Sequence, residues 1–255
     1  MLEVVFLGVG EAFDEALPNT SVLIRYKGGG SPATFLLDCG FTAPPPFWRE
    51  ESDVNRLDGI WVSHFHADHC FGIPALLVRF WEEGRDRGLM LLGQKGIESF
   101  TRKCLDLAYP GFYERITFPI RFVEVEPEKR MEILGLSFRT AETAHSQMNL
   151  ALRIDVAGKS IYYSGDGKPT PESMALARDS EFIIHEAFHM ETEIPGHGTI
   201  AGSMDMAKRC EALLVALVHI QRGVRGQAKD RIHELKKMSS PVNVIIPEPG
   251  FRMTI

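Results

Sequence analysis

Residues His64-Phe65-His66-Ala67-Asp68-His69 constrain this chain more than any other stretch. They follow an apolar run, Gly59-Ile60-Trp61-Val62-Ser63, that reads as a short buried strand. The cluster therefore sits at a strand's C-terminal end. Imidazole and carboxylate are the donors that hold Zn²⁺ or a similar divalent ion at neutral pH. In an extended segment residues i and i+2 share a side, so His64 and His66 can grip one ion. Asp68 and His69 lie past the bend and can reach a second. The alternative is a solvated surface cluster.

The chain has 255 residues and a formal charge of −6. That length suits one large domain or two small ones, and the charge argues against strong generic binding to nucleic acid. Between residues 197 and 240, eight Lys/Arg face four acids. This excess is either a solvated helix face or a weak anion-attracting rim. Cys39, Cys70, Cys104 and Cys210 form no CxxC pair, which suggests reduced thiols rather than a disulfide framework. The first residues run straight into a strand pattern with no basic leader, and no apolar run reaches the ~18 residues of a membrane span. A cytoplasmic protein without membrane contact is expected.

Strands are predicted at 2–8, 21–26, 33–38, 60–63, 89–92, 118–125, 131–134, 136–142, 151–156, 160–164, 182–185, 212–218 and 242–246. Helices are predicted at 71–84, 97–108, 171–178, 200–211 and 226–238. Residues 27–32 read as a hairpin loop and 43–46, Ala43-Pro44-Pro45-Pro46, as a stiff loop. No low-complexity linker divides the chain, so residues 1–255 read as a single layered α/β domain.

Other polar residues recur where apolar runs end. Residues 136–142 lead to His145, residues 160–165 to Asp166, and residues 213–218 to His219. Strand ends gathered at one sheet edge are where α/β folds place chemistry. With these residues in view, the chain resembles the metallo-β-lactamase superfamily over nearly its whole length. The resemblance implies a four-layered αββα sandwich with a dinuclear centre. It implies that His64, His66 and His145 bind one ion, that Asp68, His69 and His219 bind the other, and that Asp166 bridges both. Asp38, in Leu36-Leu37-Asp38-Cys39-Gly40, matches an early Asp that orients a ligand His; a turn-initiating Asp is the plainer reading.

Within the superfamily the chain is similar to the tRNA 3′-processing endonucleases (ribonuclease Z) and related phosphodiesterases. Phe71-Gly72-Ile73-Pro74-Ala75-Leu76-Leu77 follows the cluster much as in those enzymes. His185-Glu186-Ala187-Phe188 resembles their His-Glu-Ala-Thr motif, and Gly196-His197-Gly198-Thr199 their His-Ser-Thr segment. Two features depart. The interval from His145 to Asp166 is too short for the long arm that clasps tRNA. Ile220-Gln221-Arg222-Gly223 replaces the usual Ser-x-Arg-Tyr.

The resemblance implies two divalent ions, Zn²⁺ first and Mn²⁺ or Fe²⁺ as alternatives, and related enzymes form homodimers. Such ions lower the pKa of bound water to about 7, which supplies a nucleophile at neutral pH. A net positive centre favours an anionic phosphodiester, RNA included. Asp68 can hold the nucleophile's proton, and His197 held by Glu186 is the candidate donor to the leaving oxygen. His197 as a structural residue beside a turn is the other reading. His185 and His189 read as structural or surface residues and His233 as solvated. Competing functions are a lactonase or thioester (glyoxalase-II-like) hydrolase, and a metal-binding module without catalysis.

Overall fold

Strand pairing divides this chain in a way its linear order does not announce. The computed structural model describes residues 1–28 and 32–255. The hairpin loop expected over 27–32 includes residues 29–31, which lie outside the described residues. Two compact units form: Met1–Gly8 with Pro18–Val125 and Pro249–Ile255, and Val9–Leu17 with Glu126–Glu248.

Among the described residues, the first unit holds one seven-stranded sheet. Its strands are β1 (Leu2–Gly8), β2 (Ser21–Tyr26), β3 (Ala33–Leu37), β4 (Gly59–Val62), β5 (Leu89–Gly93) and β6 (Ile120–Glu124), adjacent in that order. A final strand, Arg252–Thr254, pairs with the outer side of β1. The pairs β1–β2 and β2–β3 are antiparallel, and β3 through β6 run parallel. Parallel neighbours need crossovers. Helices Pro44–Glu50, Ile73–Glu82 and Ile97–Ala108 supply them. β4 is buried along its whole length, which is why it reads as a continuous apolar run rather than an alternating one. Ile73, Leu76, Leu77 and Phe80 recur at helical spacing and pack with Leu36, Ile60 and Leu91 in one core. Each such side chain contributes about 1.5–3 kcal/mol when fully buried.

Residues 43–46 are not a loop. Ala43 is the N-cap and Pro44 the first residue of helix Pro44–Glu50. The first N–H groups of a helix have no acceptor within it, so prolines there forfeit no hydrogen bond.

The second unit, among the described residues, also holds one seven-stranded sheet. It runs β7 (Met131–Ile133), β8 (Leu136–Thr143), β9 (Asn149–Val156), β10 (Lys159–Tyr163), β11 (Phe182–Glu186), β12 (Leu214–Val218) and β13 (Asn243–Ile245), in consecutive order. β7 to β10 form an antiparallel meander and β10 to β13 are parallel. Ala157 and Gly158, at φ 49° and 76°, join β9 to β10 as the pair of left-handed residues that a two-residue primed turn requires. Helix Pro171–Ala177 starts with a reciprocal cap between Thr170 and Ser173. Helix Ile200–Arg209 packs Ile200, Met204 and Ala207 into a core with Tyr162, Ile183, Val215 and Leu217.

The single helix expected at 226–238 is two, Arg222–Asp230 and Ile232–Ser239. Arg231 between them sits at φ −92°, ψ 9°, outside the helical basin. The first helix starts earlier than expected: Gly223 and Gly226 lie inside it and hide its start in the sequence. Each glycine costs about 1 kcal/mol there, offset by burial of Arg225 and Ala228. Among the described residues no helix is long and apolar enough to cross a membrane.

Candidate metal centre

In the first unit the donors gather where β3 and β4 end. Beyond β4 the backbone stays extended through His66 (φ −70°, ψ 149°), then turns into a short helix, Ala67–Cys70. The extended part brings His64 Nε2 within 2.9 Å of His66 Nδ1. Two imidazole nitrogens this close share a proton or a cation. The helical turn places the donor atoms of Asp68 and His69 together, with His69 Nε2 3.3 Å from Asp68 Oδ2. This turn depends on Gly40: a Cβ there would lie 2.0 Å from the carbonyl oxygen of Asp68.

Asp38 fixes these rings. It lies just past β3, fully buried, at φ 57°. A non-glycine residue in that region costs on the order of 1 kcal/mol, and Asp is among the types that tolerate it. Its Oδ1 accepts the Ser63 N–H at 2.7 Å, and its Oδ2 accepts the Ser63 hydroxyl at 2.7 Å. The same Oδ2 lies 2.8 Å from His69 Nδ1. Since the Ser63 hydroxyl is spent on Asp38, its oxygen takes the N–H of His64 Nδ1 at 3.0 Å. Both histidines thereby carry an N–H on Nδ1, which leaves Nε2 as the nitrogen available to a metal.

In the second unit His145 follows β8, Asp166 follows β10, Glu186 ends β11 and His219 follows β12. His145 Nδ1 donates to the Gly196 carbonyl at 2.6 Å, which again leaves the lone pair on Nε2. His219 Nε2 stands 3.5 Å from Asp166 Oδ2. The donor atoms of His145, Asp166 and His197 lie within 4.8 Å of one another, and so do those of Glu186, His197 and His219. Among the described residues, both units thus present imidazole nitrogen beside carboxylate oxygen, a donor set that suits Zn²⁺, Mn²⁺ or Fe²⁺.

Asn149 organises these strand ends, a role that no sequence pattern signals. Fully buried at the start of β9, it accepts the Asp166 N–H at 3.1 Å and donates to Thr143 Oγ1 and the Ser164 carbonyl, both at 2.8 Å. Gly167 follows at φ 101°, where a Cβ would fall 2.5 Å from Thr143 Oγ1.

Glu186 is fully buried and accepts three backbone N–H groups, from Gly167 (3.0 Å), Gly198 (2.6 Å) and Phe188 (3.1 Å). His197 Nδ1 faces it at 3.5 Å and Asp166 at 4.0 Å. Burial works against a charged His197, but these carboxylates outweigh it and raise its pKa above the ordinary value. His185 lies in the core, fully buried, and His233 is exposed. Cys70 follows His69 but is buried, and burial pushes its thiol well above the ordinary range. That makes it a packing residue rather than a thiolate ligand.

A family model described as "Anti-Pycsar protein Apyc1" matches residues 2–235. Ribonuclease Z of Methanosarcina acetivorans is 25% identical, over 100% of this chain and 98% of its own. The metallo-β-lactamase fold protein YhfI from Bacillus subtilis superposes with a TM-score of 0.79 at 19% identity, covering 99% of this chain and 98% of its own. Human tRNase Z, short form, gives a TM-score of 0.79 at 20% identity, covering 99% of each chain. This likeness shows the metallo-β-lactamase fold, the α/β sandwich class expected from the sequence.

Proposed function

The chain belongs to the Anti-Pycsar protein Apyc1 family, and from that footing we propose that it is a metal-dependent hydrolase of phosphodiester bonds, of the ribonuclease Z and phosphodiesterase type. One observation carries the proposal. His64, His69 and His145 each have Nδ1 tied to a hydroxyl, carboxylate or carbonyl oxygen, which directs the Nε2 lone pair outward as a ligand.

The proposed ligands for two divalent ions are His64, His66, Asp68, His69, His145, Asp166 and His219. Bound ions supply Lewis acidity and lower the pKa of water to about 7. Asp68 takes up the proton of the attacking water. Glu186 positions His197, and His197 passes a proton to the leaving oxygen. Removing such a donor costs about a hundredfold to ten-thousandfold in rate.

The Methanosarcina relative is named a ribonuclease, which supports an RNA-type phosphodiester as the substrate class. Between His145 and Asp166 this chain has only β9, a two-residue turn and β10. That short interval supports a small or single-stranded phosphodiester over folded tRNA. A lactone or thioester is the second reading, since the same nucleophile attacks carbonyl carbon. The Glu186–His197 pair favours the phosphodiester over the thioester, because a leaving alkoxide needs a proton and a thiolate does not. The test is turnover of bis(p-nitrophenyl) phosphate, a dinucleoside monophosphate, precursor tRNA, a lactone and a thioester, each with Zn²⁺, Mn²⁺ or Fe²⁺. Phosphodiester hydrolysis above the other classes is expected; faster lactone or thioester hydrolysis would overturn the proposal.

A further inference from the structure

Phe188 occupies the one position at which residues 185–188 depart from His-Glu-Ala-Thr, and its ring lies against His197. The two ring centroids are 4.7 Å apart with the planes 26° from parallel. The backbone of Phe188 is pinned by three neighbours. Its N–H faces the Gly198 carbonyl at 3.1 Å and Glu186 Oε2 at 3.1 Å. Its carbonyl accepts the Gln221 N–H at 2.9 Å. The phenyl group therefore projects from a fixed point, and the ring of His197 rests on it.

His197 needs such a brace. Its side chain is 22% exposed, and its Nδ1 meets Glu186 only at 3.5 Å. Asp166 stands farther still from the same nitrogen, at 4.0 Å, and two long contacts at one edge of an imidazole leave the ring able to swing about that edge. Among its ring neighbours His145 is tilted steeply, at 5.1 Å and 76°, and His219 lies nearly parallel but farther off, at 5.9 Å and 13°; Phe188 is the nearest. Phe188 covers one face. Offset aromatic stacking of this kind favours a defined ring plane, which a threonine at this position could not supply.

We propose that Phe188 is a positioning residue that sets the plane of the His197 ring and so aims its Nε2–H at the leaving oxygen. This rests on the phosphodiesterase reading above. In the step concerned, the phosphorus–oxygen bond to the leaving group breaks, and its electron pair stays on that oxygen. The oxygen takes the Nε2 proton, a new bond forms from water to phosphorus, and His197 is left neutral until solvent reprotonates it. A nitrophenolate departs without that proton, whereas the alkoxide of a ribose requires it. Misaiming His197 therefore harms one substrate class and largely spares the other.

The test compares wild type, Phe188→Leu and Phe188→Tyr, each loaded with Zn²⁺, on a dinucleoside monophosphate and on bis(p-nitrophenyl) phosphate, with metal content measured throughout. Phe188→Leu keeps apolar bulk without a stacking face. It should lower kcat on the dinucleoside by about tenfold, leave KM there unchanged, and affect the nitrophenyl ester at least several-fold less. Phe188→Tyr should restore dinucleoside turnover. Adding Phe188→Leu to His197→Ala should cost nothing further, because the two act as a unit. Equal slowing of both substrates, a loss seen only in KM, or no slowing in Phe188→Leu would overturn the proposal. Wild-type protein that hydrolyses neither substrate would overturn the phosphodiesterase reading itself, a result distinct from all of these.

Discussion

Asp38 Oδ2 and His69 Nδ1 stand 2.8 Å apart with both side chains sealed from solvent. The carboxylate dictates the tautomer of the imidazole, and through Ser63 it dictates that of His64 as well. Asp38→Ala should therefore weaken Zn²⁺ binding by about 10–100-fold. Competition against a chelator measures this directly. Wild-type affinity in the variant would show that the two rings orient themselves.

Glu186→Gln should separate the carboxylate's roles by replacing one oxygen with an NH₂ that faces backbone donors. Gly167, Gly198 and Phe188 all direct N–H groups at this side chain. Leaving one unsatisfied costs about 1–3 kcal/mol, readable as a lower urea midpoint, and kcat on an alkoxide-leaving substrate should fall with it. An unchanged midpoint would mean that the loops do not rely on this carboxylate.

Arg85 is 2% exposed and donates to the carbonyls of Val54, Leu57, Arg87 and Gly88. Burial, and then the neighbouring charge of Arg87, depress its pKa to about 10. Arg85→Ala should destabilise the fold by several kcal/mol, because each buried carbonyl left without its donor costs about 1–3 kcal/mol. Arg85→Lys, with fewer donors, should fall between. Metal content of the folded fraction should be unaffected. Denaturation curves that superimpose on wild type would refute the role.

His185 makes stability depend on pH. Burial lowers its folded pKa below the ordinary 6.5, against the opposing pull of Glu186. Below pH 6.5 the unfolded chain gains a proton there that the folded chain resists, so stability is full above that value and falls as pH drops through it. His185→Gln keeps an N–H for the Glu186 carbonyl but does not titrate. The stability difference between wild type and this variant, both metal-saturated, should shrink steadily from pH 7.5 to about 5. A constant difference across that range would disprove the linkage.

The donors were legible because their signals are local. His64 and His66 share a side through the pleat of three consecutive residues, and His145, Asp166 and His219 each close an apolar run. Asn149 and Ser63 were not legible, since what they do depends on chain segments meeting in three dimensions. Asn149 binds residues 6, 15 and 17 positions away, and Ser63 answers to Asp38, 25 positions back. Strong punctuation misled in two places. Three prolines suggested a loop where a helix starts, and two glycines delayed a helix that packing begins earlier. The strand Arg252–Thr254 gave no pattern, because three residues are too few to show alternation.

That last strand has a consequence for synthesis. Domains tend to fold as units while the chain emerges, yet the sheet that opens with β1 gains its outer strand only once residues 252–254 exist. Every residue of the other unit precedes them. A nascent chain can complete the sheet it begins second before the sheet it begins first.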